Sequence, residues 1–145
     1  MKKKVKFIIS AAIAITIILV VIFNLKISRV PEKPTVMYEN TKFVFVGETA
    51  ELSSSELDNV GAIKSEVKEM PKENCTAFKI KEGTNLYTLK ISSDKEDLYG
   101  YIFTKDKNSN LYNVGFPYYA NDDEKDNITK YLDEKEKEYK AYKNK

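Results

Sequence analysis

The chain has 145 residues, with 24 lysines and arginines against 22 aspartates and glutamates, one cysteine, no histidine and no tryptophan. The lack of histidine excludes the commonest general base and every Ser-His, Cys-His or His-metal arrangement. A single cysteine excludes an internal disulfide, and the near-balanced charge provides no basic stripe, so we expect no nucleic-acid partner.

The first predicted element is an apolar run from Phe7 to Leu25, nineteen residues without a charge between Lys6 and Lys26. As a helix with a rise of about 1.5 Å per residue it is about 28 Å long, close to the thickness of a bilayer core. The run is longer than the apolar core of a signal peptide, and no small-x-small cleavage site follows it. It therefore predicts an uncleaved, single-pass signal anchor whose partner is the lipid bilayer; a long cleaved signal peptide is the alternative.

The charges divide at this run. Four basic residues precede it and all 22 acids follow it, which leaves 20 basic and 22 acidic groups, a formal net of −2, in the rest of the chain. The lysines before the run favour a cytoplasmic tail of residues 1–6 and a C-terminal domain outside the cell membrane.

Three further segments follow the anchor. Residues 26–35 contain Pro31 and Pro34 and are typical of a short, stiff linker. We expect residues 36–132 to form one β-rich extracytoplasmic domain and residues 133–145 to form a charged helical tail.

Alternating apolar residues predict strands in this domain. The expected strands are Val36–Tyr38 and Lys42–Val46 around a turn at Glu39–Thr41, Gly61–Val67, and Leu86–Ile91. Gly47 is expected to end the second of them. The strongest pattern predicts a hairpin over residues 98–116, with a loop at Lys105–Asn110, and Pro117 is expected to end it.

The hairpin loop also needs a comparison with calcium sites. Asp106–Asn110 matches the D-x-N-x-N opening of an EF-hand loop, but Leu111 stands in place of its glycine and Pro117 in place of its bidentate glutamate. A hairpin turn is favoured, and we expect neither a metal nor a cofactor.

The C-terminal segment is predicted to be helical. Asn121 is suited to cap a helix, with Glu124 at the capping-box position. A stripe is formed by Ile128, Leu132, Tyr139 and Tyr142. We expect the first half of this helix to pack on the sheet and the second half to extend into solvent. The expected fold is α+β: an N-terminal transmembrane helix, then a small antiparallel sheet or partial barrel of about five to seven strands, with one C-terminal helix.

The segments Gly61–Val67 (GAIKSEV) and Gly83–Tyr87 (GTNLY) resemble those of small uncharacterised, membrane-anchored or lipoprotein-like surface proteins of Gram-positive bacteria. The resemblance covers about Val36 to Val114 and implies export and a β-rich domain with a final hairpin. Its motifs are structural, so it implies no functional residue. This chain lacks the lipid-bearing cysteine of many such proteins, which leaves anchoring to the helix.

Ten tyrosines follow the anchor, and five of them lie within 21 residues: Tyr99, Tyr101, Tyr112, Tyr118 and Tyr119. Tyrosine is favoured in binding surfaces because its large amphipathic ring has little conformational freedom to lose. It is also an ordinary strand residue, which is the alternative interpretation.

Cys75 has no basic neighbour in sequence that would lower the pKa of its thiol, so an inert thiol is favoured over a nucleophile. These patterns predict a non-enzymatic binding or accessory module. The alternative is a carboxylate-dependent hydrolase of the cell envelope.

Overall fold

The computed structural model describes residues 32–119 and 121–145, so the predicted tail 1–6 and anchor 7–25 lie outside the described residues. Within the described ranges, no helix is both long and apolar enough to cross a bilayer. These ranges contain eight strands and one α-helix: β1 Thr35–Tyr38, β2 Thr41–Ala50, β3 Leu57–Ala62, β4 Ser65–Val67, β5 Thr76–Phe78, β6 Asn85–Leu89, β7 Ile102–Lys105, β8 Tyr112–Tyr118 and α1 Asp122–Lys143.

The strands form one curled, mixed sheet, a half-barrel, in the order β3-β6-β7-β8-β2-β1-β5-β4. Neighbouring strands are antiparallel except for β4 and β5, which are parallel. The α+β class and the C-terminal helix are as expected. The sheet differs from the expectation because it has eight strands and is not wholly antiparallel.

The hairpin between β1 and β2 is confirmed. Its two turn residues, Glu39 and Asn40, both have a positive φ, 47° and 57°. This is the backbone that a two-residue hairpin turn needs to match the twist of its strands. The turn is also held from outside, because the Asn40 N–H donates to the Asn74 side-chain oxygen at 2.8 Å.

Gly47 does not end β2, which continues to Ala50. Its φ is +90°, and the pairing of β2 with β8 shifts register between Phe45 and Thr49. Gly47 therefore lies at an irregularity within the strand, where glycine is common because it tolerates a positive φ.

The predicted single strand Gly61–Val67 is wrong, because the structure divides it between the two edges of the sheet. Only Ile63 and Lys64 separate β3 from β4. The Ile63 N–H donates to the Thr84 carbonyl beside β6 at 2.9 Å, and the Lys64 N–H donates to the Cys75 carbonyl beside β5 at 2.8 Å. The chain thus leaves one edge of the sheet and joins the other within two residues, which requires the sheet to curl.

The β7–β8 hairpin is confirmed, but its bounds differ from the prediction. β7 begins at Ile102, so Tyr99 and Tyr101 precede the strand. Pro117 does not end β8; it lies inside that strand, opposite Phe43 of β2 and beyond the last β7–β8 pair, Ile102 with Gly115. A proline is tolerated there because β7 does not extend far enough to pair with it.

Two apolar clusters occupy the two faces of the sheet, and the adjacent residues Ile102 and Phe103 belong to different clusters, as strand alternation requires. The first cluster joins Ala77 of β5 to Leu86 of β6, strands that are far apart in the sheet order. A cluster with members on such distant strands lies on the concave face of the curl. Tyr131 of α1 belongs to the same cluster, so the helix contributes to the concave core.

The helix begins as predicted. The Asn121 side chain accepts the Glu124 N–H at 2.9 Å, and acids in the first turn and lysines in the last complement the helix dipole. The Glu124 carboxylate forms an ion pair with Lys42 of β2, which fixes this end of the helix to the sheet.

The predicted apolar stripe of the helix is partly wrong. Ile128, Tyr131 and Tyr139 are buried, whereas Leu132 and Tyr142 are exposed. Tyr139 is only 5% exposed, so the second half of the helix does not simply extend into solvent. The buried face of the helix carries Tyr131 and Tyr139.

Candidate binding groove

A short segment between β6 and β7 forms one wall of the candidate site. It begins with a single 3-10 turn, Glu96–Leu98, and the Tyr101 N–H then donates to the Leu98 carbonyl at 3.3 Å. Gly100 has a φ of +93°, and a Cβ at this position would lie 3.5 Å from the Lys135 Cβ of α1. The segment can therefore run close alongside the helix.

The helix forms the other wall and is held in place by tyrosine hydroxyls. Tyr131 donates to the Gly100 carbonyl at 2.9 Å, and its ring meets Phe43 edge-on with centroids 5.7 Å apart. Further along, the Tyr139 ring packs on Tyr99 at 5.3 Å. Both walls are thus fixed before any ligand arrives.

Between these walls lies a cavity of about 220 Å³, which we call the helix groove. Its lining residues are Glu96, Asp97, Tyr99, Tyr101, Leu132, Lys135, Glu136, Tyr139 and Lys140. Leu132 is 38% exposed, and Tyr101 is half-buried with its ring 5.2 Å from that of Phe116. The groove therefore combines an aromatic and aliphatic surface with a charged rim.

Most charges of the rim are paired. The Lys135 ammonium lies 3.3 Å from the Glu138 carboxylate and 3.7 Å from that of Glu39. Glu136 forms an ion pair with Lys140, one helical turn away.

Two acids on the opposite wall differ from these. Glu96 and Asp97 form no ion pair within 4.0 Å among the residues that the structure describes. The unneutralised charge of the groove is therefore negative.

A second cavity, of about 230 Å³, adjoins the groove and shares Tyr99 and Lys135 with it. Burial, reinforced by the neighbouring Glu39, raises the pKa of Tyr38 to about 12. Burial, reinforced by Glu138, likewise raises the pKa of Tyr99 to about 12. These hydroxyls remain protonated near neutral pH, so they serve as hydrogen-bond donors and not as general bases.

Tyr131, which also lines this second cavity, has a pKa raised mainly by burial and further by Glu39. Its proton is already engaged with a backbone carbonyl. The tyrosines at this junction therefore position the helix and shape the cavities.

Three carboxylates have pKa values below their usual range. The backbone N–H of Ser53 lowers the pKa of Glu56, the hydroxyl of Ser109 lowers that of Asp106, and Lys140 lowers that of Glu136. In each case a hydrogen bond favours the ionised form, which is the opposite of what a general acid requires.

The Asp106 carboxylate is used within its own loop. One oxygen accepts the Asn108 N–H at 3.3 Å and the other accepts the Ser109 hydroxyl at 2.7 Å. Among residues 32–119 and 121–145, no three acidic or cysteine side chains are grouped to hold a metal ion. The Asp106 N–H also donates to the Leu111 carbonyl at 3.0 Å, so this loop closes the hairpin between β7 and β8, as predicted.

The structure separates the five tyrosines that the sequence singled out. Tyr99 and Tyr101 line the helix groove. Tyr112 is only 6% exposed and meets Tyr87 edge-on at 5.6 Å, so it is a core residue and not a surface contact. Tyr118 is half-buried at the end of β8, and Tyr119 is 46% exposed; neither lines the groove.

Sequence reasoning missed several groove residues. Lys135 interrupts the predicted apolar stripe, yet Tyr131, Lys135 and Tyr139 follow one another at intervals of four and share a helix face. That spacing was the available signal. Glu96 and Asp97 carry no local signal, because only the approach of the helix makes them a wall.

Comparison of the chain with protein-family models, with curated proteins and with solved structures gives no match.

Cys75 is a half-buried free thiol at a positive φ of 64°.

Proposed function

We propose that this protein is a single-pass, membrane-tethered binding module whose domain lies outside the cytoplasm, as in the small Gram-positive surface proteins that it resembles. The helix groove is its contact surface, and it binds a partner without catalysing a reaction. The observation that carries the proposal is a preformed groove in which Tyr99, Tyr101 and Leu132 remain partly accessible beneath a charged rim.

The rigidity of the groove supports binding. Its walls are joined by the hydrogen bond from Tyr131 to Gly100 and by the packing of Tyr139 on Tyr99. A preorganised surface loses less conformational entropy on binding, so more of the contact energy remains as affinity. Accessible tyrosines in such a pocket are the residue type that dominates many interfaces.

Crosslinking in cells tests the contact surface. A photoreactive phenylalanine analogue replaces Glu136, an exposed residue of the groove, in the full-length chain; the matched control places it at Ser109, in the exposed hairpin loop. We expect a specific adduct from the groove position alone. Adding Leu132→Asn, which removes the apolar contact without adding a charge, should abolish this adduct without unfolding the domain, because the side chain is partly exposed.

Equal adducts from both positions, or adducts that survive Leu132→Asn, would contradict the groove as the contact surface. The hydrolase alternative predicts a different pattern: the groove variant keeps full cellular function, and substitution of a single acid removes it.

The tether is tested separately. The apolar run at residues 7–25 motivates a cytoplasmic N-terminus and an outward domain. Protease added to intact spheroplasts should digest the domain and leave a membrane-embedded stub. Protection of the domain until lysis would overturn the orientation, and a mature form starting near Ile27 would overturn the uncleaved anchor.

A further inference from the structure

We infer that the helix groove binds a cationic side chain, arginine or lysine, presented by a peptide. The inference names the ligand class of the groove and so rests on the proposed function. It has three independent supports: the net negative charge of the groove, two aromatic rings over which no cation lies, and the size of the groove.

The ion pairs of the rim leave the groove with a net negative charge. Lys135 is neutralised by Glu39 and Glu138, and the other lysine of the rim is paired with its helical neighbour. Glu96 and Asp97 form no ion pair within 4.0 Å among the described residues, although Glu96 is near enough to Lys140 to help raise the pKa of that ammonium. The lining of the groove carries three acids against two lysines, so a cation entering it would be attracted and an anionic ligand would be repelled.

Three aromatic rings of the described residues already have a cation over them. Lysine ammonium groups lie over the rings of Phe78, Tyr131 and Tyr139, at 5.2, 5.5 and 5.3 Å from their centroids. No lysine or arginine of the described residues lies over Tyr99 or Tyr101. These two rings are therefore available for a cation–π contact with a ligand.

The size of the groove limits the ligand to a single side chain. The groove measures about 220 Å³, below the range of about 300–1,000 Å³ that is typical of sites for whole drug-sized molecules. Arginine and lysine also have long aliphatic stems, which can pack on exposed apolar surface while their charged ends reach polar groups. The exposed Leu132 provides such surface.

The test uses the full-length protein in lipid nanodiscs and two peptides that carry a neutral fluorophore. One has the core Leu-Arg-Leu, and the other has citrulline in place of arginine, which keeps the shape and removes the charge. Fluorescence anisotropy should show binding of the arginine peptide about tenfold tighter than that of the citrulline peptide. Raising the salt concentration should narrow this difference.

Two double variants locate the effect. Glu96→Gln with Asp97→Asn should reduce the preference for arginine to about twofold or less. The matched control, Asp58→Asn with Glu82→Gln, removes two exposed acids that do not line the groove and should leave the preference unchanged.

The inference is overturned if the two peptides bind equally, if both double variants lower the preference equally, or if the arginine peptide binds with a Kd above about 1 mM. Failure of the inference is distinguishable from failure of the proposed function. Equal binding of both peptides that is lost in Leu132→Asn would remove the cationic ligand class and keep the groove as a binding surface. Peptide binding that Leu132→Asn leaves intact would remove both.

Discussion

Gly115 is the position where the smallest possible addition is expected to have a large effect. It lies in β8 between Ile102 of β7 and Phe45 of β2. A Cβ at this glycine would lie 2.6 Å from the Ile102 Cγ2 and 2.8 Å from the Phe45 Cζ, whereas carbon atoms in contact prefer about 3.5–4.0 Å. Both neighbours are buried in the concave core, with exposed fractions of 0% and 7%, so neither can move without disturbing others.

The magnitude of Gly115→Ala follows from two opposing effects. Alanine restricts the unfolded chain and would by itself stabilise the domain by about 0.5–1 kcal/mol. Overpacking a close-packed core costs about 1–3 kcal/mol, and two simultaneous overlaps place this case at or above the upper end. We expect a net loss of about 2 kcal/mol, or about 8 °C in Tm for a domain of this size.

Urea unfolding followed by tyrosine fluorescence measures this loss, since the chain has ten tyrosines and no tryptophan. The matched experiment combines Gly115→Ala with Ile102→Ala, which alone should cost about 2–5 kcal/mol because it opens a cavity. In the double variant the added methyl occupies part of that cavity. The two losses should then fall short of additivity by about 1 kcal/mol.

A neutral or stabilising Gly115→Ala would refute the steric argument. So would losses that add within about 0.5 kcal/mol in the double variant, because distant, independent sites behave in that way.

Three further predictions concern the helix and its tyrosines. Tyr131→Phe removes the hydroxyl that donates to the Gly100 carbonyl at 2.9 Å but keeps the ring, so urea unfolding should show a loss of about 1 kcal/mol; an unchanged midpoint would contradict the bond. Asn121→Ala removes the helix cap and should also cost about 1 kcal/mol, whereas Asn121→Asp should retain most of the stability. The folded pKa of about 12 for Tyr38 and Tyr99 lies above the ordinary 10.0, so the unfolded chain releases these protons first. Their contribution to stability is therefore complete below pH 10 and is lost as the pH rises through 12. Tyrosinate absorbance should show three groups titrating late, Tyr38, Tyr99 and Tyr131, and titration of every tyrosine near 10 would argue against burial at this junction.

The parts of the fold that were predictable depend on local chemistry. Glu39 and Asn40 stand between two alternating apolar runs, and a two-residue turn there needs no information from elsewhere. Asn121 is an N-cap because its side chain reaches a backbone N–H three residues later.

The parts that were missed depend on partners that are distant in sequence. The run Gly61–Val67 has an unbroken strand pattern, and only the competing positions of β6 and β5 divide it at Ile63 and Lys64. The parallel pairing of β4 with β5 is likewise decided by the closure of the curl. No pattern within either segment encodes it.

The candidate site shows the same limit on a smaller scale. Tyr131 and Leu132 are adjacent on a helix and point about 100° apart, so the choice of buried face depends on where the sheet lies. Gly100 decides which face of the helix is buried, because its carbonyl lies close enough to accept a hydrogen bond from the Tyr131 hydroxyl. Tyr99 and Tyr101 were identified from aromatic density. The acids on the same segment, Glu96 and Asp97, form part of a groove only because the helix packs opposite them.

The pairing of β2 with β8 has a consequence for biosynthesis. Lys42 lies opposite Tyr118, so β2 lacks its second neighbour until the ribosome has made about 75 more residues, which takes about 4–15 s at ordinary rates. Throughout that interval the segment Phe43–Val46, Phe-Val-Phe-Val, has one unpaired edge and a strong tendency to aggregate. β8 lies between β7 and β2 in the sheet, so the strands β3-β6-β7 and the strands β2-β1-β5-β4 are paired into one sheet only after β8 has been made.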